Sequence, residues 1–332
     1  MGFASYEYEA KIAIHRVLTL NELYGGMKMA RPKKVKLRAF KFSCSDIKKG
    51  LSSLPNDIYG KASISNVQSR MMPLNEEVVD KDLCCHYMMV NGANNTLFGT
   101  MIRLKSSGDV QHLPDTLLNK NSFTLTELEA EGAAGYKVTD HYYYCTNGNH
   151  LVTTLRTGTT IKRLETYLNW LLGTNAYSAT PVVQVPPGRT LANIESITFQ
   201  KPFVPVHQTT GTPSRSLFFG EKTIKDFISN LVVEAKSLQD IDIEQIASAQ
   251  VIFKFKKPRK MTEEEYQKIL GAVMKPIADQ DEVLFKDKKH GTIKGSVIER
   301  SEQIEVDTTD SGVIVEEGLR QGMTRFLSAL AD

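Results

Sequence analysis

Two runs of β-forming residues joined by Asn147-Gly148 constrain the fold of this chain more than any other feature. The runs are HYYYCT before the dipeptide and NHLVTTLR after it. Asn-Gly between such runs favours a hairpin, because both residues tolerate the positive backbone angles of a tight turn. The chain is therefore expected to contain an antiparallel sheet. Three adjacent tyrosines cannot share one face of a strand, so at most two could stack on bases, and packing is the favoured role.

Further strands and helices are predicted on both sides of this hairpin. Residues 45–54 favour a short helix that ends before Pro55. Thr160 begins a longer helix whose apolar residues form one face, with Gly173 after its end. Alternation predicts further strands at 34–42, 83–90, 96–104 and 194–199. Together these elements predict an α+β fold of mixed, mostly antiparallel sheets with flanking helices, in two subdomains.

Residues 249–306 are predicted to form a β-α-β-β unit with basic turns. Its first strand starts at Val251 and runs into KKPRK. Thr262 followed by Glu265 is typical of a capping box at the start of a helix. The segments EVLFK and TIKGSVIER are predicted as two strands joined by a basic turn.

The chain of 332 residues is long enough for two domains. Residues 1–28 are interpreted as an N-terminal appendage and 29–175 as an N-terminal α+β domain. Residues 176–187, with three prolines, are predicted to be a linker. The C-terminal α+β domain, 188–332, would contain the β-α-β-β unit and a terminal amphipathic helix. That helix is expected to dock on its own sheet, with pairing to a second copy as the alternative.

Composition excludes several classes of protein. With 41% hydrophobic and 24% charged residues, neither disorder nor a membrane span is indicated. The net charge of +3 means that any affinity for nucleic acid must come from local patches. Four cysteines without a CxxC pair indicate reduced thiols, and the first residues do not look like a secretory signal. A cytoplasmic location is expected.

Positive charge is concentrated in three regions that are candidate phosphate-binding sites. If about five or six of these side chains contacted phosphates, the log-log salt slope would be about −5, a loss of about 10³ in affinity between about 50 and 200 mM salt. Lysines at turns also simply wet a protein surface, which is the alternative interpretation. The candidates are Lys254, Lys256, Lys257, Arg259 and Lys260; Lys33, Lys34, Lys36 and Arg38; and Lys286, Lys288 and Lys289.

No sequence motif for catalysis or cofactor binding is present. The chain lacks phosphate-binding loops, dinucleotide fingerprints, nucleophile elbows and zinc-ligand spacings. A metal-dependent nuclease needs acidic ligands near a lysine, and one segment imitates that grouping. Its residues are Asp279, Asp281, Glu282, Asp287 and Lys289. Solvated turn acids are the favoured interpretation, so no catalytic residue, metal or cofactor is predicted.

The order of several segments resembles that of the RexA-like family, the DNA-binding members of phage-exclusion pairs encoded by lambdoid prophages. The similarity spans about residues 83–332 and is weaker before them; this chain is longer, mainly through residues 1–28 and its loops. None of the segments is a catalytic signature. They are LFGTMIRLKSSGDV, HYYYCTNGNHLVTTLRTGTT, IKRLETYLNWLL, SLFFGEKTIKDFISNLV and AQVIFKFKKPRK.

This resemblance implies a homodimer that binds double-stranded DNA without sequence preference. It also implies that the protein senses phage DNA or replication intermediates in anti-phage defence, while a separate membrane protein acts as the effector. By the same resemblance, the five basic residues of 254–260 become the first candidates for phosphate contact. The prediction is a cytoplasmic, non-enzymatic DNA-binding protein. Two alternatives stay open: a nuclease using Asp281, Asp287 and Lys289, and a protein-interaction subunit of a defence complex.

Overall fold

The computed structural model describes residues 30–46, 49–74, 80–90, 95–104, 113–131, 140–156, 159–184, 186–190, 193–199, 251–254, 261–275 and 280–330. Within these stretches, helices pack on two sheets, so the predicted α+β class is confirmed. Every strand pair in the described residues is antiparallel. The predicted appendage, 1–28, lies outside the described residues.

The strands and helices are numbered separately along the chain. The strands are β1 Ala30–Cys44, β2 Met71–Pro73, β3 Lys81–Met89, β4 Leu97–Leu104, β5 His141–Thr146, β6 His150–Thr153, β7 Tyr177–Pro181, β8 Ile194–Phe199, β9 Val251–Lys254, β10 Val283–Asp287, β11 Gly291–Lys294 and β12 Ser301–Thr308. The α-helices are α1 Leu54–Ser63, α2 Asp115–Leu118, α3 Leu125–Ala130, α4 Lys162–Leu171, α5 Glu263–Met274, α6 Gly295–Ile298 and α7 Glu316–Ser328.

The large sheet is built around the long strand β1. Its strand order is β12-β1-β6-β5-β4-β3-β2, and β7 also pairs with β1. The first part of β1 pairs with β12, while its last five residues pair with β7 on the same edge. The opposite edge of β1 pairs with β6. One strand therefore joins the start, the middle and the end of the described chain.

Both faces of the large sheet are buried, which explains the apolar pattern of β1. Val35 and Leu37 face a core that includes Leu319 and Met323 of α7. Phe40, further along β1, faces the opposite core, which α1 and α4 cover. Successive residues of a strand point to opposite faces, so the two phenylalanines that interrupt the alternation of β1 are the residues that fill the second core.

The predicted hairpin and the packing of its tyrosines are confirmed. Strands β5 and β6 are paired, and Thr146 lies opposite Leu151. Tyr143 is buried in the core that α7 covers, while Tyr142 and Tyr144 are buried in the opposite core. The three side chains are therefore buried in the interior and cannot stack on a nucleic-acid base.

The helix predicted at 45–54 is wrong in position. Residues Leu51–Ser53 form a short 3-10 turn, and α1 begins at Leu54. Pro55 lies in the first turn of α1. A proline there costs little because the first amides of a helix have no intrahelical acceptor. Pro55 therefore marks the start of this helix and not its end.

The small sheet has the strand order β11-β10-β8-β9, and one of its faces packs against α5. Tyr266 and Leu270 of α5 are buried with Phe285 of β10. The helix also lies close to the large sheet, since a Cβ on Gly271 would come within 2.5 Å of the Pro181 carbonyl oxygen in β7. The second face of the small sheet points away from α5.

The β-α-β-β prediction is confirmed except at its last strand. The capping box of Thr262 and Glu265 is present at the start of α5. The segment TIKGSVIER is predicted as one strand, but β11 ends at Lys294 and α6 follows. A Cβ on Gly295 would lie 2.7 Å from the Gln280 carbonyl oxygen, so the glycine permits a close turn there.

The predicted division into domains differs from the structure at two places. The stretch 176–187, expected to be a linker, contains β7 and so belongs to the large sheet. Strand β12 and helix α7, expected in a C-terminal domain 188–332, also belong to that sheet. The physical reason is the apolar stripe of α7, which packs on the large sheet and not on the small sheet of the predicted C-terminal domain.

Candidate nucleic-acid interface

Three lysines from three different strands lie on the outward face of the small sheet. Lys286 of β10 is directly opposite Ser196 of β8, and Ser196 is directly opposite Lys254 of β9. Lys294 of β11 is opposite Leu284, two residues from Lys286 on the same face of β10. Directly opposed residues of an antiparallel pair share a face. We call Lys254, Lys286 and Lys294, together with Lys288 and Lys289 of the following turn, the lysine face.

All five members of the lysine face are exposed. Strands in a sheet are about 4.8 Å apart, so Lys254 and Lys286, two strands from one another, are separated by about 10 Å. Lys294 is a diagonal neighbour of Lys286, at about 7–8 Å. Residues from two of the three predicted basic regions thus meet on one surface, which their separation in sequence does not suggest.

Among the described residues, the carboxylate of Glu195 compensates part of this charge. Glu195 of β8 lies 3.0 Å from the Lys286 ammonium, and it stands where the pairing of β8 and β10 is irregular. The Lys286 side chain is nevertheless 64% exposed. An exposed ion pair of this kind is worth about 0–1 kcal/mol and gives way easily to a phosphate.

The Asp287 carboxylate is turned inward and shapes the basic turn. It accepts hydrogen bonds from the backbone amides of Lys289 at 2.7 Å and His290 at 3.1 Å. Burial alone would raise the pKa of Asp287, but these two amides, together with the His290 side chain, hold the pKa below its ordinary value. Asp287 therefore stays ionised and fixes the turn that presents Lys288 and Lys289.

The basic residues of β1, Lys33, Lys34, Lys36 and Arg38, differ from the lysine face because carboxylates lie next to most of them. Arg38 is 5% exposed, and its Nε donates to the Glu299 carboxylate at 2.7 Å. Its guanidinium also lies 5.4 Å from the centre of the Phe40 ring. We therefore remove Arg38 from the candidate phosphate contacts, because this part of β1 is covered and its guanidinium is held by Glu299.

The lysines of β1 stay exposed but share their surface with acids. Lys36 lies 3.8 Å from Glu299, and Lys34 is opposite Glu305 of β12. Lys33, the third candidate, is exposed and lies opposite Val306. Because β12 places acidic residues beside the basic ones, this row is a mixed surface. It attracts a polyanion less than the lysine face does.

Four other candidates cannot be placed. Lys256, Lys257, Arg259 and Lys260 lie outside the described residues. In sequence they follow Lys254, which belongs to the lysine face. They stay predictions.

The acidic grouping considered for a nuclease is not brought together. Asp281 precedes β10 and Asp287 ends it, so at about 3.3 Å per residue the strand separates them by roughly 13 Å or more. Asp281 accepts a hydrogen bond from the Ser296 hydroxyl, while Asp279 lies outside the described residues. In the part of the chain that the structure describes, no group of three or more His, Cys, Asp or Glu side chains could hold a metal ion.

Lys294 lies at the end of the third basic region of the sequence, although the candidate phosphate contacts named there are Lys286, Lys288 and Lys289. Its strand, GTIK, places the buried Ile293 between two exposed residues. That alternation marks Lys294 as outward-facing, but the sequence does not reveal which strand lies beside it.

Comparisons with known proteins give no family for this chain. No known protein-family model matches it, and no curated protein is detectably similar to it in sequence. The resemblance to the RexA-like family therefore stays a prediction. Among the described residues, no helix is long and apolar enough to cross a membrane.

Proposed function

We propose that this protein binds DNA without sequence preference through the lysine face. The observation that carries the proposal is the strand register, which sets Lys254, Lys286 and Lys294 side by side on the outward face of one sheet. A cationic surface of this kind attracts the phosphate backbone, whose binding releases condensed counterions.

The geometry favours phosphate contact over base recognition. Lysine ammonium groups on a sheet face meet backbone phosphates, which carry no sequence information directly. Reading base pairs requires an element that enters a groove, such as a recognition helix or a β-ribbon. The turn between β10 and β11 adds two more exposed lysines, Lys288 and Lys289, next to this sheet.

The biological part of the proposal is a role in anti-phage defence, and the resemblance to RexA-like proteins supports it. On this proposal the protein forms a homodimer, detects phage DNA or replication intermediates, and acts with a membrane-protein effector. The proposed DNA binding by the lysine face does not depend on this resemblance, because it is inferred from the strand register.

Fluorescence anisotropy with labelled duplexes of unrelated sequence tests the binding. With five lysines on phosphates, the log-log salt slope is expected to be about −4.5. The triple variant Lys254→Gln, Lys286→Gln, Lys294→Gln should bind every duplex more weakly, by a similar factor, and with a slope reduced by about 3.

A matched control comes from the other basic row. Lys33→Gln with Lys34→Gln removes two exposed lysines from β1 and is expected to change duplex affinity much less. If that control loses more affinity than the triple variant, the interface lies on the large sheet. If the full-length protein does not bind DNA at low salt, the proposal is contradicted. The alternative function, a protein-interaction subunit of a defence complex, then remains. Magnesium-dependent cutting of the duplex would favour the nuclease.

A further inference from the structure

A cleft with a volume of about 560 Å³ lies between the C-terminal ends of α1 and α4. It is separate from the lysine face, which belongs to the small sheet. Side chains from α1, from α4 and from the turn that leads to β2 line it. Those that matter here are Lys61, Ile64, Asn66, Ser69, Arg70 and Trp170.

Two large apolar side chains are exposed in this cleft. Ile64 is 82% exposed and Trp170 is 39% exposed. The indole of Trp170 packs against the ring of Tyr167, with ring centres 5.7 Å apart. Tyr167 is itself buried and donates a hydrogen bond to the Arg70 carbonyl oxygen at 3.0 Å. Trp170 is therefore held against a fixed neighbour.

The lining of the cleft is cationic. Arg70 is fully buried, and its guanidinium donates to backbone carbonyls, including those of Ala62 at 3.0 Å and Ser65 at 2.7 Å. These bonds neutralise the partial negative charge at the end of α1. Lys61 is exposed beside it, and no carboxylate is found among the lining residues that the structure describes. The ligand that this charge favours is an anion.

We propose that the cleft binds an unpaired nucleotide of single-stranded DNA. The base stacks on the Trp170 indole beside Ile64, and the phosphate meets the Lys61 ammonium, with the Asn66 side-chain NH2 group offering a hydrogen bond. The cleft is open to solvent and not enclosed, so it can hold one base against its wall. Stacking of one base on an aromatic side chain changes affinity by about 5- to 150-fold. This inference rests on the proposed function in naming DNA as the ligand, and it adds a second site with a different strand preference.

Trp170 is the only tryptophan of the chain, so its emission reports directly on the cleft. The full chain is titrated with a short oligo-dT strand and, separately, with a duplex of the same length. Oligo-dT is expected to quench the emission in a saturable way, while the duplex, whose bases are stacked already, leaves it unchanged. Unchanged emission while anisotropy shows bound oligo-dT overturns the inference. So does equal quenching by an oligoglutamate peptide, which would assign the cleft to acidic proteins.

Variants separate stacking from general stability. Trp170→Ala and Ile64→Ser are expected to weaken oligo-dT binding about tenfold in anisotropy and to leave duplex affinity as it is. Trp170→Phe should restore most of the loss, because it keeps an aromatic face. Val297→Ser removes another exposed apolar side chain, 48% exposed, and serves as the matched control. A loss as large in Val297→Ser, or no loss in Trp170→Ala, contradicts the inference.

Thymidine monophosphate distinguishes failure of this inference from failure of the proposed function. In the triple lysine variant, the mononucleotide should still quench Trp170, because the cleft does not include the lysine face. If duplex binding is absent but this quenching is present, the lysine face is wrong and the cleft stands. If duplex binding is present but neither mononucleotide nor oligo-dT affects Trp170, the cleft is wrong and the lysine face stands.

Discussion

Single residues with the same chemistry have different roles in this protein because their surroundings differ. Arg38 and Lys286 are both basic residues of a strand, and both lie beside a glutamate. Arg38 is buried, so removing its partner Glu299 would leave an unpaired charge in the interior, which costs about 3–5 kcal/mol. Lys286 is exposed, and its pair with Glu195 contributes far less. Burial therefore separates the structural cation, Arg38, from Lys286, whose ammonium is accessible to solvent.

Gly148, in the hairpin turn, has a backbone conformation and a close contact that a residue with a side chain would not tolerate. Its φ is +90°, and a Cβ there would lie 1.9 Å from the Leu51 carbonyl oxygen. Gly148→Ala is expected to destabilise the protein by more than about 2 kcal/mol, because a backbone atom has to move. Thermal unfolding measures the loss.

Gly173 provides the control for this prediction. Its φ is +62°, but no atom of the described residues lies within 4 Å of the position that an added methyl group would take. Gly173→Ala should cost only about 1 kcal/mol, the conformational part of the penalty. Equal losses in the two variants would show that the contact with Leu51 has no effect of its own.

At the scale of elements, α5 matters most, because it holds the small sheet against the large one. The ammonium of Lys275, the residue directly after the helix, lies 2.5 Å from the buried Glu165 carboxylate of α4 and 2.8 Å from the Ser178 hydroxyl of β7. Helix α5 itself carries Tyr266, whose hydroxyl donates to the Ile194 carbonyl oxygen at 3.1 Å. The helix thus connects the lysine face to the rest of the molecule.

The capping box of α5 gives a prediction that depends on pH. Thr262→Ala removes the hydroxyl that accepts from the Glu265 amide at 3.2 Å and is expected to cost about 1 kcal/mol at neutral pH. Hydrogen bonds from the Thr262 amide and hydroxyl lower the pKa of Glu265 below its ordinary value. The stabilisation from the carboxylate is therefore present above that ordinary value and is lost as pH falls through the lowered one.

Urea unfolding at neutral and acidic pH tests this expectation. The difference between wild type and Thr262→Ala should shrink in acid. Thr166→Ala, at an exposed position inside α4, is the control and should cost nothing, because alanine has the higher helix propensity. A difference that stays constant with pH would mean that the Glu265 carboxylate does not contribute.

For the whole molecule, the decisive feature is the return of the chain to the large sheet. Strand β12 covers the edge of β1, and α7 buries Leu319, Met323 and Phe326 in the core that contains Val35 and Leu37. The first strand, β1, is therefore expected to need β12 and α7 in order to bury its edge and its apolar side chains.

A truncated chain ending at residue 187 tests this dependence. It keeps β1 to β7 but lacks β12 and α7, so it is expected to bind a hydrophobic dye and to unfold without a sharp transition. The full chain is the control and should unfold cooperatively. If the fragment unfolds as sharply as the full chain does, 29–175 is an independent domain after all.

Local interactions explain the parts of the fold that are predicted correctly from the sequence. The Asn-Gly hairpin, the capping box and the α4 helix each depend on residues a few positions apart, so their patterns are visible in the chain itself. The prediction at Pro55 is wrong although the signal is local, because proline suits the first turn of a helix as well as the position after its end. The α+β class follows from such elements and their spacing.

The tertiary structure alone decided which charges are available and which strands meet. Arg38 and Glu299 are 261 positions apart, and no periodicity connects them. Lys254, Lys286 and Lys294 share a face because of the strand registers, and a register is set by packing across the sheet. The sequence thus determined where positive charge is dense. Only the folded chain determined that this charge is paired with acids along β1 and, among the described residues, is only partly compensated on the small sheet, because charge compensation depends on neighbours in space.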